Sequence, residues 1–336
     1  MKIGLMLHLS DDDALGRPPS FETLRDMSIA ADDAGLDSVW GADHLIFRRE
    51  DGADETSNGI HECWTVLSAV AAVTRRVQIG PLVLAMPFRP PALLAKMATT
   101  LDEVSGGRLI LGIGSGWHEP EFDAFGYPFD HRVGRFEEAL AVLLPLLRGE
   151  RVTHEGRWYA VEDAQILPPG PRAGGPPILI AGKQPRMLRL VTEHADLWNA
   201  AWYGLPETAG ELDERVHAVR AALDAAGRDP ATLELTAGVF VAFPELYEGP
   251  NEEPPKRAMT GTVEEVGRQL ASYADRGMSH LICHLWPSTP RAVEQLAAAA
   301  EVARSVVRDG LRGAETVTSS GAGAGAGAGA GSGAGA

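Results

Sequence analysis

The chain has 336 residues, enough for one large α/β barrel of ~250 residues or for two ordinary domains. With 45% hydrophobic residues it can bury a full core, and its net charge of −16 argues against holding nucleic acid or an anionic membrane surface by bulk electrostatics. Its two cysteines, Cys63 and Cys283, are too few and too far apart for a disulfide framework or a zinc site, and read as core or semi-buried thiols in a reducing compartment.

The N-terminal run MKIGLMLHLSDDDALG is too short for a leader peptide, and aspartates stand where a small-residue cleavage site would fall. No stretch approaches ~18 uninterrupted apolar residues, so a soluble, cytoplasmic protein is expected. Strand-like and helix-like segments then alternate. Lys2–Leu9 is strand and Phe21–Ala34 helix; Asp37–Gly41 is strand and Trp64–Thr74 helix. Val77–Leu84 is strand, Pro91–Val104 helix, Arg108–Ile113 strand and Val133–Arg148 helix. Pro177–Ala181 precedes a helix from Pro185 to His194, and Asp196–Ala200 precedes one from Thr208 to Ala226. Leu233–Phe243, Val263–Arg276, His280–Leu285 and Arg291–Arg308 complete roughly eight strand–helix units, the pattern of a closed (β/α)8 TIM barrel over residues 1–310.

Two insertions break the rhythm, after the fourth and seventh strands. Arg151–Pro176 contains a hairpin turning at Glu155-Gly156 and then a Pro/Gly-rich loop. Pro244–Gly261 falls on the face where barrel ligands bind, so it reads either as a lid or as plain surface irregularity. Residues 311–336 are expected to be a disordered tail, ending from Gly321 in almost strict Gly-Ala alternation.

Four segments carry candidate chemistry. Asp43-His44 follows the second strand, where a His of near-neutral pKa suits proton transfer and Asp43 can orient the site or accept a hydrogen bond; a strand-end His satisfied by backbone is the structural alternative. Gly80 and Pro81 sit awkwardly inside a buried parallel strand and point to a bulge or strained peptide at Leu82-Val83, a ridge that could press on a flat ring. Leu109–Gly126 (LILGIGSGWHEPEFDAFG) puts Gly112, Gly114 and Gly116 at a strand mouth, where a ligand can approach bare backbone; a plain strand-to-helix turn is the alternative. Ala181, Gly182, Lys183 and Gln184 open a helix with free N–H groups and a cation, an arrangement suited to a cofactor phosphate.

In this order the segments SVWGADHL, IGPLVLAMPFRPPALLAKMATTLDEVSGGRLILGIGSGWHEPEFDAFGYPF, PPILIAGKQPRMLRLVTEHADLWNA and MTGTVEEVGRQLASYADRGMSHLI resemble the luciferase-like monooxygenase superfamily, over about residues 1–309. The branch most similar is that of the F420-dependent oxidoreductases. The resemblance implies the same barrel and a cofactor held edge-on in its mouth, either coenzyme F420, a deazaflavin, or FMN. His44 then matches the family's proton donor beside the ring, next to Asp43. Leu82 and Val83 match a non-prolyl cis peptide backing the ring, and Ala85 and Met86 match the cofactor contacts after it. Gly114, Gly116 and Trp117 match the glycine strand, and Ala181, Gly182, Lys183 and Gln184 the phosphate turn.

The chain departs from this pattern at two places. Deazaflavin-dependent glucose-6-phosphate dehydrogenases place a catalytic Glu where this chain has Trp117, which argues against a sugar phosphate, and Lys183 replaces a second Gly. The expected activity is hydride transfer between F420 and a small organic substrate. FMNH2-dependent monooxygenation and non-catalytic flavin or deazaflavin binding are the alternatives. A metal-dependent lyase or hydrolase would need clustered Lys, Asp or His at several strand ends, and the sequence offers no such set. A homodimer is a candidate assembly, and no metal is expected.

Overall fold

The computed structural model describes residues 1–10, 17–48, 57–247 and 254–321. Nine parallel strands build the barrel: β1 (Lys2–Met6), β2 (Ser38–Gly41), β3 (Gln78–Pro81), β4 (Leu84–Ala85), β5 (Leu111–Gly114), β6 (Ile178–Ala181), β7 (Leu197–Tyr203), β8 (Glu234–Ala242) and β9 (His280–Trp286). The sheet order is β3-β2-β1-β9-β8-β7-β6-β5-β4. β3 and β4 are two halves of one stave, interrupted by a cis peptide between Leu82 and Val83. Closure comes through Ile79, whose N–H donates to Arg108 O at 3.0 Å and whose carbonyl accepts from Ile110 N at 2.8 Å. The expected eight-stave barrel is therefore present, with the expected irregularity in its third stave.

Helices α1 (Phe21–Asp33), α2 (Cys63–Val73), α3 (Pro91–Val104), α4 (Glu119–Phe125), α5 (Arg132–Leu147), α6 (Pro185–His194), α7 (Gly210–Ala225), α8 (Val263–Ala271) and α9 (Pro290–Gly321) follow the staves. The large apolar core lies between strands and helices and includes Ile3, Leu24, Leu67, Leu94, Leu143 and Leu296. Inside the barrel, Met6, Trp40, Leu82, Ile110, Leu179, Leu197 and Ile282 form a second cluster, so the interior is packed rather than open. Gly80 is required there: a Cβ on it would stand 2.4 Å from the Trp40 ring. The Trp40 indole donates to Ser38 Oγ at 2.6 Å, and Ser38 Oγ lies 2.7 Å from His280 Nε2. Burial pushes His280 down to about 4, so this chain of buried polar groups is uncharged.

The insertion hairpin pairs Val152–Glu155 with Ala160–Ala164. Met259–Thr260, from the second insertion, adds to β8, while residues 248–253 of that candidate lid lie outside the described residues. The predicted helix at Val263–Arg276 splits into α8 and a 3-10 turn, Ser272–Arg276, stopped by Gly277 at φ 85°. α9 runs to Gly321, beyond the expected boundary at residue 310, and residues 322–336 of the expected tail lie outside the described residues. Cys63 and Cys283 are both buried, and burial raises both thiols. Among the described residues no helix is long and apolar enough to cross a membrane.

Candidate active site

The C-terminal ends of the staves enclose a cavity of about 760 Å³. Asp43, His44, Leu82, Val83, Ala85, Gly114, Gly116, Trp117, Ala181, Gly182 and Lys183, all predicted site residues, line it together. Met86 and Gln184 do not. The backbone enters a 3-10 turn at Met86 and buries its side chain in the core, while Gln184 is the exposed N-cap of α6.

His44 is held by a partner that sequence patterning does not single out. Its Nδ1 lies 3.0 Å from Glu121 Oε1 and 3.2 Å from Oε2, and Glu121 Oε2 also accepts from Leu45 N at 2.9 Å. Glu121 is only 2% exposed, in the first turn of α4, where the helix dipole favours its negative charge. Glu121 accepts, so Nδ1 carries the proton, and Nε2 is the other nitrogen of a ring that lines the cavity. The rings of Phe47 and Trp117 pack edge-on against His44, with centroids 5.6 Å away in each case. Trp117 is 61% exposed at the rim.

Asp43 does something different. Both of its oxygens bind the Arg89 guanidinium, at 2.8 and 2.9 Å, and Oδ2 also accepts from Ala85 N at 2.9 Å. Arg89 reaches on to Glu62 Oε1 at 2.7 Å, and Glu62 caps α2 through Trp64 N and Thr65 N. Burial opposes the Arg89 charge, but Asp43 and Glu62 outweigh it and raise its pKa. Asp43 thus ties the end of β2 to β4 and fixes the far side of the Leu82-Val83 ridge.

The glycines serve the ridge rather than a bare ligand surface. A Cβ on Gly112 would stand 2.0 Å from Pro81 O, and one on Gly114 would stand 2.9 Å from Val83 Cγ2. Gly116, at φ 76°, would place a Cβ 2.5 Å from Phe122. Gly114 and Gly116 still line the cavity, whereas Gly112 is buried behind the ridge and does not.

The remaining wall comes from β1, β7 and β9. His8 Nδ1 lies 3.0 Å from His284 Nε2, and burial together with the His8 charge lowers His284 to about 3. Trp202 follows a second non-prolyl cis peptide, at Ala201-Trp202, and stacks on Phe240 with centroids 5.5 Å apart. Trp198 Nε1 donates to Gly182 O at 2.9 Å and so holds the turn beside Lys183. Glu121, Arg89, His8, His284 and Trp202 are site residues that sequence reasoning misses. Only Glu121 leaves a trace in the sequence, as an acidic residue in a helix first turn.

A family model described as luciferase-like monooxygenase matches residues 1–248. The phthiodiolone/phenolphthiodiolone dimycocerosates ketoreductase of Mycobacterium kansasii is 33% identical over 224 residues, which are 62% of this chain and 60% of that protein. The chain therefore spans about 60% of the length of that relative. An F420-dependent glucose-6-phosphate dehydrogenase of Amycolatopsis mediterranei is 36% identical over 166 residues, 46% of this chain and 48% of that one. Among solved structures, an F420-dependent secondary alcohol dehydrogenase in complex with an F420-acetone adduct superposes with TM-score 0.72 at 18% identity, covering 90% of this chain and 98% of that one. The FMN-bound oxygenating constituent of 3,6-diketocamphane monooxygenase from Pseudomonas putida superposes with TM-score 0.67 at 17% identity, covering 88% and 96%. These two likenesses concern the fold. With the barrel and the ordered site segments in place, the chain belongs to the luciferase-like monooxygenase family.

Proposed function

We propose that the protein is an oxidoreductase that holds coenzyme F420 in the barrel mouth and exchanges hydride between it and a small organic substrate. The carrying observation is the His44–Glu121 pair, which faces the same cavity as the Leu82-Val83 ridge and Lys183. A cavity of about 760 Å³ has room for a planar ring laid on the ridge, and Lys183 offers a cation to a phosphate at the other end. When bound, the deazaflavin supplies a carbon centre that gives or takes hydride and does not readily activate O2.

The chain's own residues handle the rest. His44 Nε2 donates or accepts the proton that balances hydride transfer at a substrate carbonyl or alcohol, while Glu121 fixes the ring. Asp43 positions the ridge through Ala85 and Arg89. Trp117, Phe47 and Trp202 give the substrate side an aromatic lining. The names of the ketoreductase and dehydrogenase relatives support carbonyl–alcohol interconversion.

FMN is the second reading, favoured by the FMN-bound neighbour of the same fold. Side-by-side titration with F420 and FMN tests the choice. Saturable binding of F420, tighter than that of FMN, is expected; binding of FMN alone overturns the deazaflavin reading.

A further inference from the structure

A second cavity of about 490 Å³ opens between the start of α5, the insertion hairpin and the start of α6. Arg132, Arg157 and Arg186 line it with His131 and Trp158, and among the described residues no carboxylate does. That is unusual in a chain with 46 acidic against 30 basic residues.

The nearby carboxylates are already engaged. Asp130 pairs with His131 and Arg135, and Glu137 pairs with Arg186 and Arg189. Glu138 is turned onto the backbone N–H groups of Arg157, Trp158 and Tyr159, at 3.1, 2.9 and 2.8 Å. Among the described residues, Arg132, Arg157 and the neighbouring Lys183 have no carboxylate partner.

The cleft is also held in shape. Gly134 admits Trp158 against α5, since a Cβ there would stand 2.7 Å from the indole. Arg157 lies 4.9 Å from the centroid of that indole, and Arg132 lies 3.7 Å from the centroid of Phe129. Guanidinium groups stacked in this way lose less freedom when they bind an anion. Arg132 Nη1 also donates to Gly116 O at 3.3 Å, and Gly116 lines the barrel mouth. Arg186, the second residue of α6, follows three residues after Lys183. Mouth and cleft are therefore neighbours on one face, joined by cations.

We propose that this cleft is an anion-binding extension of the mouth, in which Arg157 and Arg132 grip phosphate or carboxylate groups on the tail of the ligand whose ring lies on the Leu82-Val83 ridge. The proposal rests on the deazaflavin reading above. It assigns a binding role to the insertion hairpin, which supplies Arg157 and Trp158 and is otherwise remote from the barrel chemistry.

The test measures equilibrium affinity for F420 and for its deazariboflavin core lacking phosphate and tail. It uses the full chain and the Arg157→Gln and R132Q/R157Q variants. Losing one charge-assisted hydrogen bond should weaken F420 binding about tenfold in Arg157→Gln and flatten its salt dependence, with the core's affinity within about twofold of wild type. Unchanged F420 affinity in the double variant, or equal losses for both ligands, overturns the proposal. Forms of F420 that differ in the number of tail carboxylates identify the gripped group. A larger effect on longer tails assigns carboxylate, and an equal effect on all assigns phosphate. If the wild-type chain binds no deazaflavin, the deazaflavin reading fails. The cleft is then judged by calorimetry with tetraglutamate and inorganic tripolyphosphate: saturable binding lost in R132Q/R157Q upholds it, and no binding overturns it.

Discussion

His44 and Glu121 stand 77 residues apart in the chain and meet at 3.0 Å across the barrel mouth. The carboxylate also accepts from Leu45 N, so it fixes both the imidazole and the backbone that carries it. One buried acid thereby selects the tautomer and the direction of the proton-bearing nitrogen.

Glu121→Gln should preserve cofactor affinity while lowering kcat by about tenfold, and His44→Asn should lower it by about 100-fold, within the range for loss of a positioned acid or base. An unchanged kcat in Glu121→Gln would make Glu121 a packing residue only.

The Asp43–Arg89 pair should matter to stability more than to proton transfer. Asp43 is wholly buried and Arg89 is 11% exposed at its side chain, so Arg89→Met strands a buried carboxylate. Breaking such a pair costs roughly 3–5 kcal/mol, visible as a lower urea midpoint at unchanged m value. Asp43→Asn should cost less, because Arg89 keeps Glu62. Equal midpoints for wild type and Arg89→Met would remove the pair from the stability of the ridge.

The barrel is legible in the sequence because parallel staves and helices alternate in period, and because Pro91 and Pro185 mark helix starts where α3 and α6 begin. The interruption at Leu82-Val83 is legible because Gly80 and Pro81 cannot serve a regular buried strand. What stays hidden is long-range pairing. Arg89 in MPFRPP carries no signal of its role until Asp43 is placed beside it, and Glu62 carries none until it caps α2 and meets Arg89. The role of Gly112 is hidden for the same reason: its neighbour, Pro81 O, comes from another stave.

Acid should destabilise the ligand-free protein through His280. Burial holds its folded-state pKa at about 4, below the ordinary 6.5, so the unfolded chain takes up a proton that the folded chain refuses. Stability then falls as pH drops from about 6.5 towards 4, by at most ~1.4 kcal/mol for each pH step of one, and does not depend on this group above that window. His280→Gln, which can still meet Ser38 Oγ, should flatten this slope in denaturation measured from pH 4 to 7. His284, lowered to about 3, retains part of it. An unchanged slope in His280→Gln would assign the acid sensitivity to other groups.

Two glycine-to-alanine changes on one strand should separate folding from ligand binding. In Gly112→Ala the new methyl meets Pro81 O at 2.0 Å, a backbone atom in a closed barrel, so strands must move and the melting temperature should fall by several degrees. In Gly114→Ala it meets Val83 Cγ2 at 2.9 Å, and the ridge side chain can shift by a few tenths of an ångström into the cavity. The barrel then survives, but the wall a planar ring would lie on is displaced. Gly114→Ala should melt close to wild type yet bind F420 about tenfold more weakly, read by titration beside a thermal melt. Because contact with a flat ring is lost over its whole face, the tail-less core should weaken by the same factor, unlike the response expected of Arg157→Gln. A Gly114→Ala variant that binds the core as wild type does would show that the ridge does not bear on the ring.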